Sequence, residues 1–398
     1  MLESSEPCCE MTLDDVQITL LGTAHVSRIS AEQVKRAIQS GGYDAVAVEL
    51  CRSRFNALTD PRALAQMDLF SVIRQNRVAM VVANLALSAY QQRLAEQFGI
   101  EPGAEQRTAL RLAKERELPI LLIDREVGIT LKRIAANLSW WKRYTLFAGL
   151  LTALVTTDEI TEDAVEKLKE GDVLEMTFAE FAADQRDLYT PLIAERDQYM
   201  AAKLRREISR LQVKRVLVVV GVGHLRGIAE VLAQEHTPPT PTLVALEQIP
   251  PPSRWPTRFA WALLALILAG FIWGFAQDAA LGWALINTWI VLTGGLAALG
   301  ALVANAHPLT IVVAFLTAPL TTLNPLIAVG MVTVAVELYL RPPHVGDFSR
   351  LRADVAHWRG WWHNRVARIF VLFLLSNLGA AFGTYIAGFQ IIGKLFHL

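Results

Sequence analysis

Two histidines in this sequence follow apolar runs with the same spacing. His25 and His224 each end a Gly-x-x-His step, and glycine lets a chain bend sharply where a strand ends. A carboxylate, Glu49, lies inside a third apolar run, where it must be paired or coordinated to avoid a large desolvation cost. Two imidazoles and a carboxylate are typical ligands of a divalent transition metal such as zinc, manganese or cobalt. Such an ion lowers the pKa of its bound water toward about 7, which would make a hydrolytic nucleophile.

Each of these residues also has a purely structural interpretation. A histidine after a strand is often a hydrogen-bonded loop residue, and Glu49 could pair with an arginine instead of a metal. The candidate arginines are Arg52, Arg54 and Arg125. Cys51 is interpreted as a buried structural thiol, because no base that would activate it is evident. The run Glu195-Arg196-Asp197 is interpreted, from its spacing alone, as a solvated helical face.

Alternating apolar and amphipathic segments predict the elements that position these residues. Four continuously apolar runs, typical of strands covered on both faces, are separated by segments with helical periodicity. The strands are predicted at 17–22, 45–50, 119–124 and 216–221, and the main helices at 31–40, 67–98, 106–117, 158–169 and 195–212. This pattern predicts an α/β fold with a mostly parallel sheet, in which ligands gather beyond the carboxyl ends of the strands. The residues expected at that edge are His25, Glu49, Asp124 and His224.

Composition divides the chain into a charged part and an apolar part. The 398 residues are 53% hydrophobic and 19% charged, and residues 259–398 hold only 7 of the 38 basic and 4 of the 38 acidic residues. We predict a disordered leader at 1–15, a soluble α/β domain at 16–236, a Pro-rich linker at 237–258 and an α-helical transmembrane domain at 259–398. Zero net charge gives no reason to expect a nucleic-acid partner, and three cysteines cannot build a disulfide framework. Because the N-terminus lacks the apolar core of a secretory signal, the first domain is predicted to be cytoplasmic.

The predicted membrane domain contains four apolar segments, at 259–276, 281–304, 309–340 and 369–389. The third is too long for one straight span and is broken by Pro319 and Pro325. This favours a re-entrant pair of half-helices over one continuous helix, and a hairpin that crosses the membrane fully is left open. Arginines flank the first segment and fill the loop before the last. The positive-inside rule therefore predicts a multi-pass protein with both regions in the cytoplasm and an even number of crossings between them. Glu337 either has a functional or packing role within the protein or lies at the interface, paired with Arg341.

Six ordered motifs resemble those of the TraB family, which includes the pheromone-shutdown protein PrgY. They are GTAHVS at 22–27, VELCRSR at 48–54, PGAE at 102–105, IDREVGITLKR at 123–133, ERDQYMA at 195–201 and VGVGHLRGI at 220–228. The resemblance covers nearly the whole chain, including the segment at 320–348. The wider superfamily includes Tiki proteases and GumN-like proteins, whose paired Gly-x-x-His motifs are associated with metal-dependent peptide cleavage.

The resemblance implies roles for individual residues. It implies metal ligation by His25, Glu49 and His224, and a clamp for substrate or oxyanion at Arg196. The candidate catalytic residues from these motifs are Glu49, Arg54, Glu105, Asp124, Arg125 and Arg196. Family members carry two adjacent arginines after the Glu-Leu-Cys step, whereas Ser53 separates Arg52 from Arg54 here. Which arginine takes the family role is therefore left open.

Two functions are consistent with these features. The first is a membrane-anchored, metal-dependent hydrolase that inactivates or processes a peptide in the cytoplasmic domain. The second is a non-catalytic membrane protein that binds or sequesters a peptide, or regulates a partner, through the same residues. The expected partners are a lipid bilayer and a peptide, and a homo-oligomer is left open. Metal content and peptide cleavage would separate the two functions.

Overall fold

The computed structural model describes most of the chain. The described residues are 7–23, 28–59, 69–75, 103–139, 186–234, 237–249, 254–324 and 327–396, with the single positions 78, 81, 82, 85, 89, 141, 142, 145 and 251. His25 and the helix predicted at 158–169 lie outside these residues, as does most of the helix predicted at 67–98. The chain divides into two compact units, one of residues 1–63 and 90–251 and the other of residues 64–89 and 252–398.

Among its described residues, a five-stranded sheet forms the centre of the first unit. Its strands are β1 (Cys8–Leu13), β2 (Val16–Thr23), β3 (Ala45–Val48), β4 (Ile120–Leu122) and β5 (Arg215–Gly221), in the order β1-β2-β5-β3-β4. The last four strands are parallel, and β1 is antiparallel to β2, which agrees with the predicted mostly parallel sheet. Strands β2 and β5 end side by side, because Thr23 is paired with Gly221.

Residues 8–13 form a strand, so the prediction of a disordered leader was wrong for them. Cys9, Met11 and Leu13 pack against the core, whereas Cys8, Glu10 and Thr12 are exposed. A two-residue period of this kind is the signature of an edge strand with one covered face. The composition of the segment, which is polar on average, conceals this period.

Helices cover both faces of the sheet. The first unit contains α1 (Arg28–Ser40), α2 (Arg52–Thr59), α4 (Ala104–Glu115), α5 (Val127–Asn137), α6 (Arg186–Tyr189), α7 (Glu195–Leu211), α8 (Val222–Gln234) and α9 (Pro239–Glu247), while α3 (Leu69–Arg74) belongs to the second unit. A π-helical turn, Thr190–Ala194, joins α6 to α7. Helices α1 and α4 pack on one face of the sheet, and α7 and α8 pack on the other. This three-layer arrangement explains why the strands are apolar throughout.

The segment predicted to be a linker contains helix α9, so that prediction was wrong for residues 239–247. Leu243 and Leu246 of α9 pack against Tyr199 and Ala202 of α7. Pro239 lies in the first turn of α9, where the missing N–H costs nothing and the fixed φ favours a helix. Proline therefore starts a helix here and does not act as the predicted spacer.

The second unit is helical. With α3 it contains α10 (Trp255–Gln277), α11 (Ala279–Val303), α12 (Pro308–Thr321), α13 (Val329–Leu340), α14 (Val345–Val355), α15 (Gly360–His363) and α16 (Arg365–Phe396). Within the described residues, three helical segments are long and apolar enough to cross a membrane: Thr257–Gln277, Ala279–Val303 and Arg365–Gly393. Large apolar side chains such as Ile272 and Phe389 are more than 70% exposed on this unit. These features are typical of helices that face lipid.

The long third apolar segment forms two short helices, and the end of the second lies beside the start of the first. Helices α12 and α13 have 14 and 12 residues, fewer than the roughly 20 that cross a bilayer. Glu337, near the end of α13, accepts hydrogen bonds from the His307 N–H at 2.9 Å and the Thr310 hydroxyl at 2.7 Å, at the start of α12. It also lies 3.7 Å from Arg341 and is buried. Glu337 thus combines the two roles considered for it, packing inside the protein and pairing with Arg341.

Pro319 does not break the helix that contains it, contrary to the prediction. Helix α12 continues to Thr321, and the chain leaves the helix only after that residue. Proline at 319 leaves the Phe315 carbonyl without its usual N–H donor one turn later. That carbonyl lies against Gly294 of α11, where a Cβ atom would come within 2.6 Å of the oxygen. Close packing against a neighbouring helix therefore covers the group that Pro319 exposes.

Glycines bring α11 and α16 into close contact. Gly379 and Gly383, four residues apart on α16, lie against the carbonyls of Leu296 and Leu292 on α11. A Cβ atom on Gly383 would lie 2.6 Å from the Leu292 oxygen. Small residues at this spacing allow two helix backbones to approach each other, which is a common way of packing helices in membranes.

Candidate functional site

Arg196 lies among three of the predicted site residues. Its Nη2 donates to Glu49 Oε1 at 2.6 Å and to Asp124 Oδ2 at 2.9 Å, and its Nε donates to Asp124 Oδ1 at 3.0 Å. Its Nη1 lies 2.9 Å from His224 Nε2. The structure therefore brings Glu49, Asp124, Arg196 and His224 together beyond the ends of β3, β4 and β5, as the parallel sheet predicts. We call these four residues and Asp197 the Arg196 cluster.

Asp197 holds His224 from the other side of the ring. Its Oδ1 lies 2.6 Å from His224 Nδ1. A guanidinium can only donate hydrogen bonds, so His224 Nε2 accepts from Arg196 and the Nδ1 hydrogen goes to Asp197. This assigns a neutral imidazole whose Nε2 lone pair faces the cluster. A base that abstracts a proton needs this tautomer, and so does a metal ligand.

The interpretation of Glu195-Arg196-Asp197 as a solvated face was wrong. Asp197 is only 4% exposed, and both neighbours make buried or half-buried ion pairs. The signal was present in the helical periodicity: Asp197, Ala201 and Leu204 share one face of α7, and the last two pack in the core. A carboxylate at a core position needs a buried partner, which here is His224.

Gly227 provides the space that Asp197 occupies. It lies almost one turn after His224 on α8, and a Cβ atom there would overlap the Asp197 carboxylate. The last glycine of the motif VGVGHLRGI therefore allows α8 to approach α7 closely enough for the His224–Asp197 hydrogen bond.

We expect Gly227→Ala to break that hydrogen bond, since the new methyl group must displace the Asp197 carboxylate. The measurement is the low-field proton resonance of the His224 Nδ1–H in ¹⁵N-histidine-labelled protein, which should disappear. Gly346→Ala is the control, because nothing lies within 4 Å of a Cβ atom at that position. An unchanged resonance in the Gly227 variant would contradict the prediction.

The cluster is held in place by the backbone and by its own charges. Glu49 Oε2 accepts from the Gly221 N–H at 2.7 Å, which fixes this carboxylate at the end of β5. Burial works against the charge of Arg196, but the carboxylates of Asp124 and Glu49 outweigh it and raise the pKa of the guanidinium. Burial raises the pKa of Asp197, although the contact with His224 opposes this effect. Arg196 is therefore held firmly as a cation.

Arg54 is the arginine beside the cluster. Its Nη1 lies 3.9 Å from Asp124 Oδ2, whereas Arg52 lies over the Phe55 ring. Ser53, which separates the two arginines, donates from its hydroxyl to Glu126 Oε2 at 2.6 Å. The structure thus favours Arg54 for the role left open by the sequence. Cys51 is buried, as predicted for a structural thiol.

Two other candidate residues lie in different surroundings. Arg125 is fully buried, and its side chain donates to Thr130, Glu195 and the carbonyls of Pro191 and Leu246. These contacts tie the end of β4 to the π-helical turn and to α9, so the geometry favours a structural role over the predicted catalytic one. Glu105 is buried in the first turn of α4.

The π-helical turn before α7 supplies backbone acceptors. The Pro191 carbonyl accepts from Arg125 at 3.0 Å, and the Leu192 carbonyl accepts from Arg196 at 3.3 Å. Turns of this type are often found at functional sites. Here the two carbonyls help to orient the two arginines.

We expect Glu195→Gln to destabilise the protein more at neutral pH than at acid pH. Burial raises the pKa of Glu195, but Arg133 and Arg125 outweigh burial and lower that pKa below its ordinary value of 4.5. A lowered folded-state pKa stabilises the fold above about pH 4.5, and this stabilisation disappears as pH falls through the folded-state pKa. The loss should be about 2 kcal/mol of unfolding free energy at pH 7.

Chemical denaturation at pH 7 and pH 3.5 measures the difference. Glu115→Gln is a control, because Glu115 pairs with Arg111 while both side chains are more than half exposed. It should change the unfolding free energy by less than about 0.5 kcal/mol. Equal losses at both pH values for Glu195→Gln would refute the prediction.

The described residues do not fit a divalent metal while Arg196 remains in place. Within the described part of the chain, no group of three or more His, Cys, Asp and Glu side chains could hold a metal ion. The Arg196 guanidinium takes the position between Glu49, Asp124 and His224 that a cation would occupy, and a second cation there would be repelled. His25, the other predicted ligand, lies outside the described residues.

Comparison with known proteins confirms the resemblance read from the motifs. The model of the TraB/PrgY/gumN family matches residues 9–237, and that of the TraB family protein C-terminal domain matches residues 255–396. An uncharacterized protein of Methanocaldococcus jannaschii is 30% identical over 390 residues, which are 96% of each chain. TraB domain-containing proteins of Bos taurus and Homo sapiens are each 32% identical, over 65% and 54% of this chain and 73% and 62% of their own. The chain belongs to the TraB/PrgY/gumN family.

Proposed function

We propose that this TraB-family chain is a membrane-anchored hydrolase that acts on peptides. The observation that carries the proposal is a chain of two hydrogen bonds that joins Asp197, His224 and Arg196. In it, a buried carboxylate orients an imidazole whose Nε2 faces a guanidinium. His224 Nε2 takes a proton from an attacking water, and Asp197 stabilises the imidazolium that forms. Arg196 stabilises the negative charge that develops on the peptide carbonyl oxygen. His224 then returns the proton to the leaving amine.

Arg196 can act on a substrate without losing its place. Its Nη1 donates to His224 in the structure, so the attacking water has to displace this one contact. Three hydrogen bonds from its Nε and Nη2 to Glu49 and Asp124 keep the guanidinium fixed meanwhile. The two carboxylates therefore act as positioning residues for the clamp.

Metal dependence, with zinc, manganese or cobalt, stays a prediction from the family resemblance. A metal ion coordinated by Glu49 and His224 would require Arg196 to leave the cluster. The metal-independent route needs Arg196 in the cluster, whereas a bound metal ion would need Arg196 to leave it. Experiments can therefore separate the two routes.

The test uses the purified full-length chain with a pool of unstructured ten-residue peptides. Cleavage products are identified by mass spectrometry, and metal content is measured by elemental analysis. His224→Ala should lower cleavage by about 10³-fold or more, as for the loss of other catalytic bases. His363→Ala is the control, because His363 is an exposed histidine of the second unit. Cleavage that survives His224→Ala would overturn the proposed role, and one metal per chain that His224→Ala removes would favour the metal-dependent route.

One observation favours a second candidate, a protein that binds a peptide without cleaving it. The Arg196–His224 contact already occupies the nitrogen that a base would use. Binding of the same peptide pool without any product would support this alternative.

Membrane anchoring is supported by the three long apolar segments and by the exposed apolar side chains of the second unit. We expect both arginine-rich regions to lie in the cytoplasm with the first unit. In a variant whose three cysteines are replaced by serine, Gln277→Cys should react with a membrane-impermeant thiol reagent in sealed cells. Arg352→Cys should not react. Labelling at 352 without labelling at 277 would contradict this orientation.

A further inference from the structure

Within the part of the chain that the structure describes, β4 is an edge strand. It pairs with β3 on one side, and no described strand pairs with its other side. The Pro119 carbonyl accepts from Val46, and the Ile123 N–H donates to Val48, so residues 119, 121 and 123 direct their backbone groups toward β3. Ile120 and Leu122 therefore direct their N–H and C=O groups to the outside. Such an edge is a template for an additional strand.

A cleft of about 300 Å³ runs along this edge. One wall is β4, and the other is a stripe on α7 made of Tyr199, Lys203, Glu207 and Arg210. Asp124 also lines the cleft and binds Arg196 at 2.9 Å. Because Arg196 precedes Tyr199 by three residues, it continues the same helical stripe. The cleft therefore leads directly to the Arg196 cluster.

We propose that an extended segment of a peptide substrate binds in this cleft as a sixth strand beside β4. The inference rests on the proposed function and names the class of substrate: an unfolded or extended peptide, since a helix or a folded domain cannot pair with a strand edge. The N–H and C=O groups of Ile120 and Leu122 supply four hydrogen bonds over about 10 Å, and the bound segment points toward Arg196 and His224.

The charges of the cleft agree with recognition through the peptide backbone. Its ionisable lining consists of three basic and three acidic residues besides Tyr199: Arg52, Lys203, Arg210, Asp124, Glu126 and Glu207. Several of them pair with each other, such as Arg210 with Glu207 at 2.8 Å. A balanced lining of this kind does not select peptides by net charge, so main-chain hydrogen bonds carry the binding and a range of sequences is accepted.

The test measures binding separately from cleavage, in the full-length His224→Ala chain. The probe is a fluorescent pool of ten-residue peptides with random residues at alternate positions. The control is the same pool N-methylated at every second residue, which removes those backbone N–H donors. Hydrogen exchange at the Ile120 and Leu122 amides should slow at least tenfold with the first pool and stay unchanged with the second. Leu122→Pro removes one outward N–H at an edge position that tolerates proline, and it should weaken binding about fivefold to tenfold. Leu122→Val keeps the N–H and should bind like the parent.

The outcomes separate this inference from the proposed function. Equal protection by both pools, or equal binding by the Pro and Val variants with unchanged melting temperatures, would overturn the strand pairing. Cleavage by the wild-type chain without protection at β4 would leave the hydrolase proposal standing and refute the docking site. Protection at β4 without cleavage would support the docking site and refute the hydrolase proposal.

Discussion

Replacing Arg196 with methionine should lower the free energy of unfolding by about 3–5 kcal/mol, because it leaves the buried carboxylates of Glu49 and Asp124 without their shared cation. The same change should open a site for a divalent ion, with Glu49, Asp124 and His224 as donors. We expect cobalt or zinc to raise the melting temperature of the variant and to leave that of the wild type unchanged.

Arg54→Met is the matched control. Arg54 lies 3.9 Å from the same Asp124, but its side chain is 43% exposed, so its loss should cost less than about 1 kcal/mol. If Arg196→Met does not fold without metal, refolding with and without cobalt gives the same comparison, and the visible absorption of bound cobalt reports its ligands. If metal changes the melting temperatures of the wild type and the variant equally, Arg196 does not occupy the position of a metal ion.

The second large effect is expected in the helical unit. Gly383→Leu should destabilise the contact between α11 and α16 by about 3 kcal/mol, because a side chain there would collide with the Leu292 carbonyl, a backbone atom that cannot turn aside. The measurement is the midpoint of unfolding in detergent mixtures of increasing sodium dodecyl sulfate content.

Gly388→Leu tests the same exchange five residues along the same helix. Nothing lies within 4 Å of a Cβ atom at Gly388, so the variant should keep the parent midpoint or exceed it slightly, since leucine favours a helix over glycine by several tenths of a kcal/mol. Matching losses at the two positions would mean that helix propensity, and not the close approach of α11 and α16, explains the result.

The residues at the ends of the strands could be predicted, because the sequence shows both which runs are apolar enough to be buried and which polar residues follow each run. Continuous apolar runs indicated parallel strands, and parallel strands place Glu49, Asp124 and His224 at one edge. The position of β5 between β2 and β3 could not be read in this way, because the order of strands in a sheet depends on which pairs bury their faces together. The partner of His224 depends in turn on how α7 packs over that sheet.

One error in the site came from information that the sequence does contain, and the other came from a bend that it does not show. The chain bends at Asp124, just after β4, so that Asp124 faces the cluster while the Arg125 side chain reaches Thr130 and Glu195. Asp197 follows the spacing of the buried residues of α7, and a count of charges hides that spacing. The partners of Arg125 could not be predicted from the sequence, because the carbonyls of Pro191 and Leu246 become acceptors only when the π-helical turn and α9 are in place.

The π-helical turn at Thr190–Ala194 makes the number of residues before Glu195 as important as their identity. A π turn holds one residue more than an α-helical turn would, and each residue of a helix rotates the following side chains by about 100°. Deleting a single residue from the turn would therefore rotate α7 relative to α6 or force one of them off its packing surface. Substitutions at the same positions would leave the angle intact. Variation among relatives in this stretch should consist of exchanges of residue type at constant length, with insertions and deletions excluded.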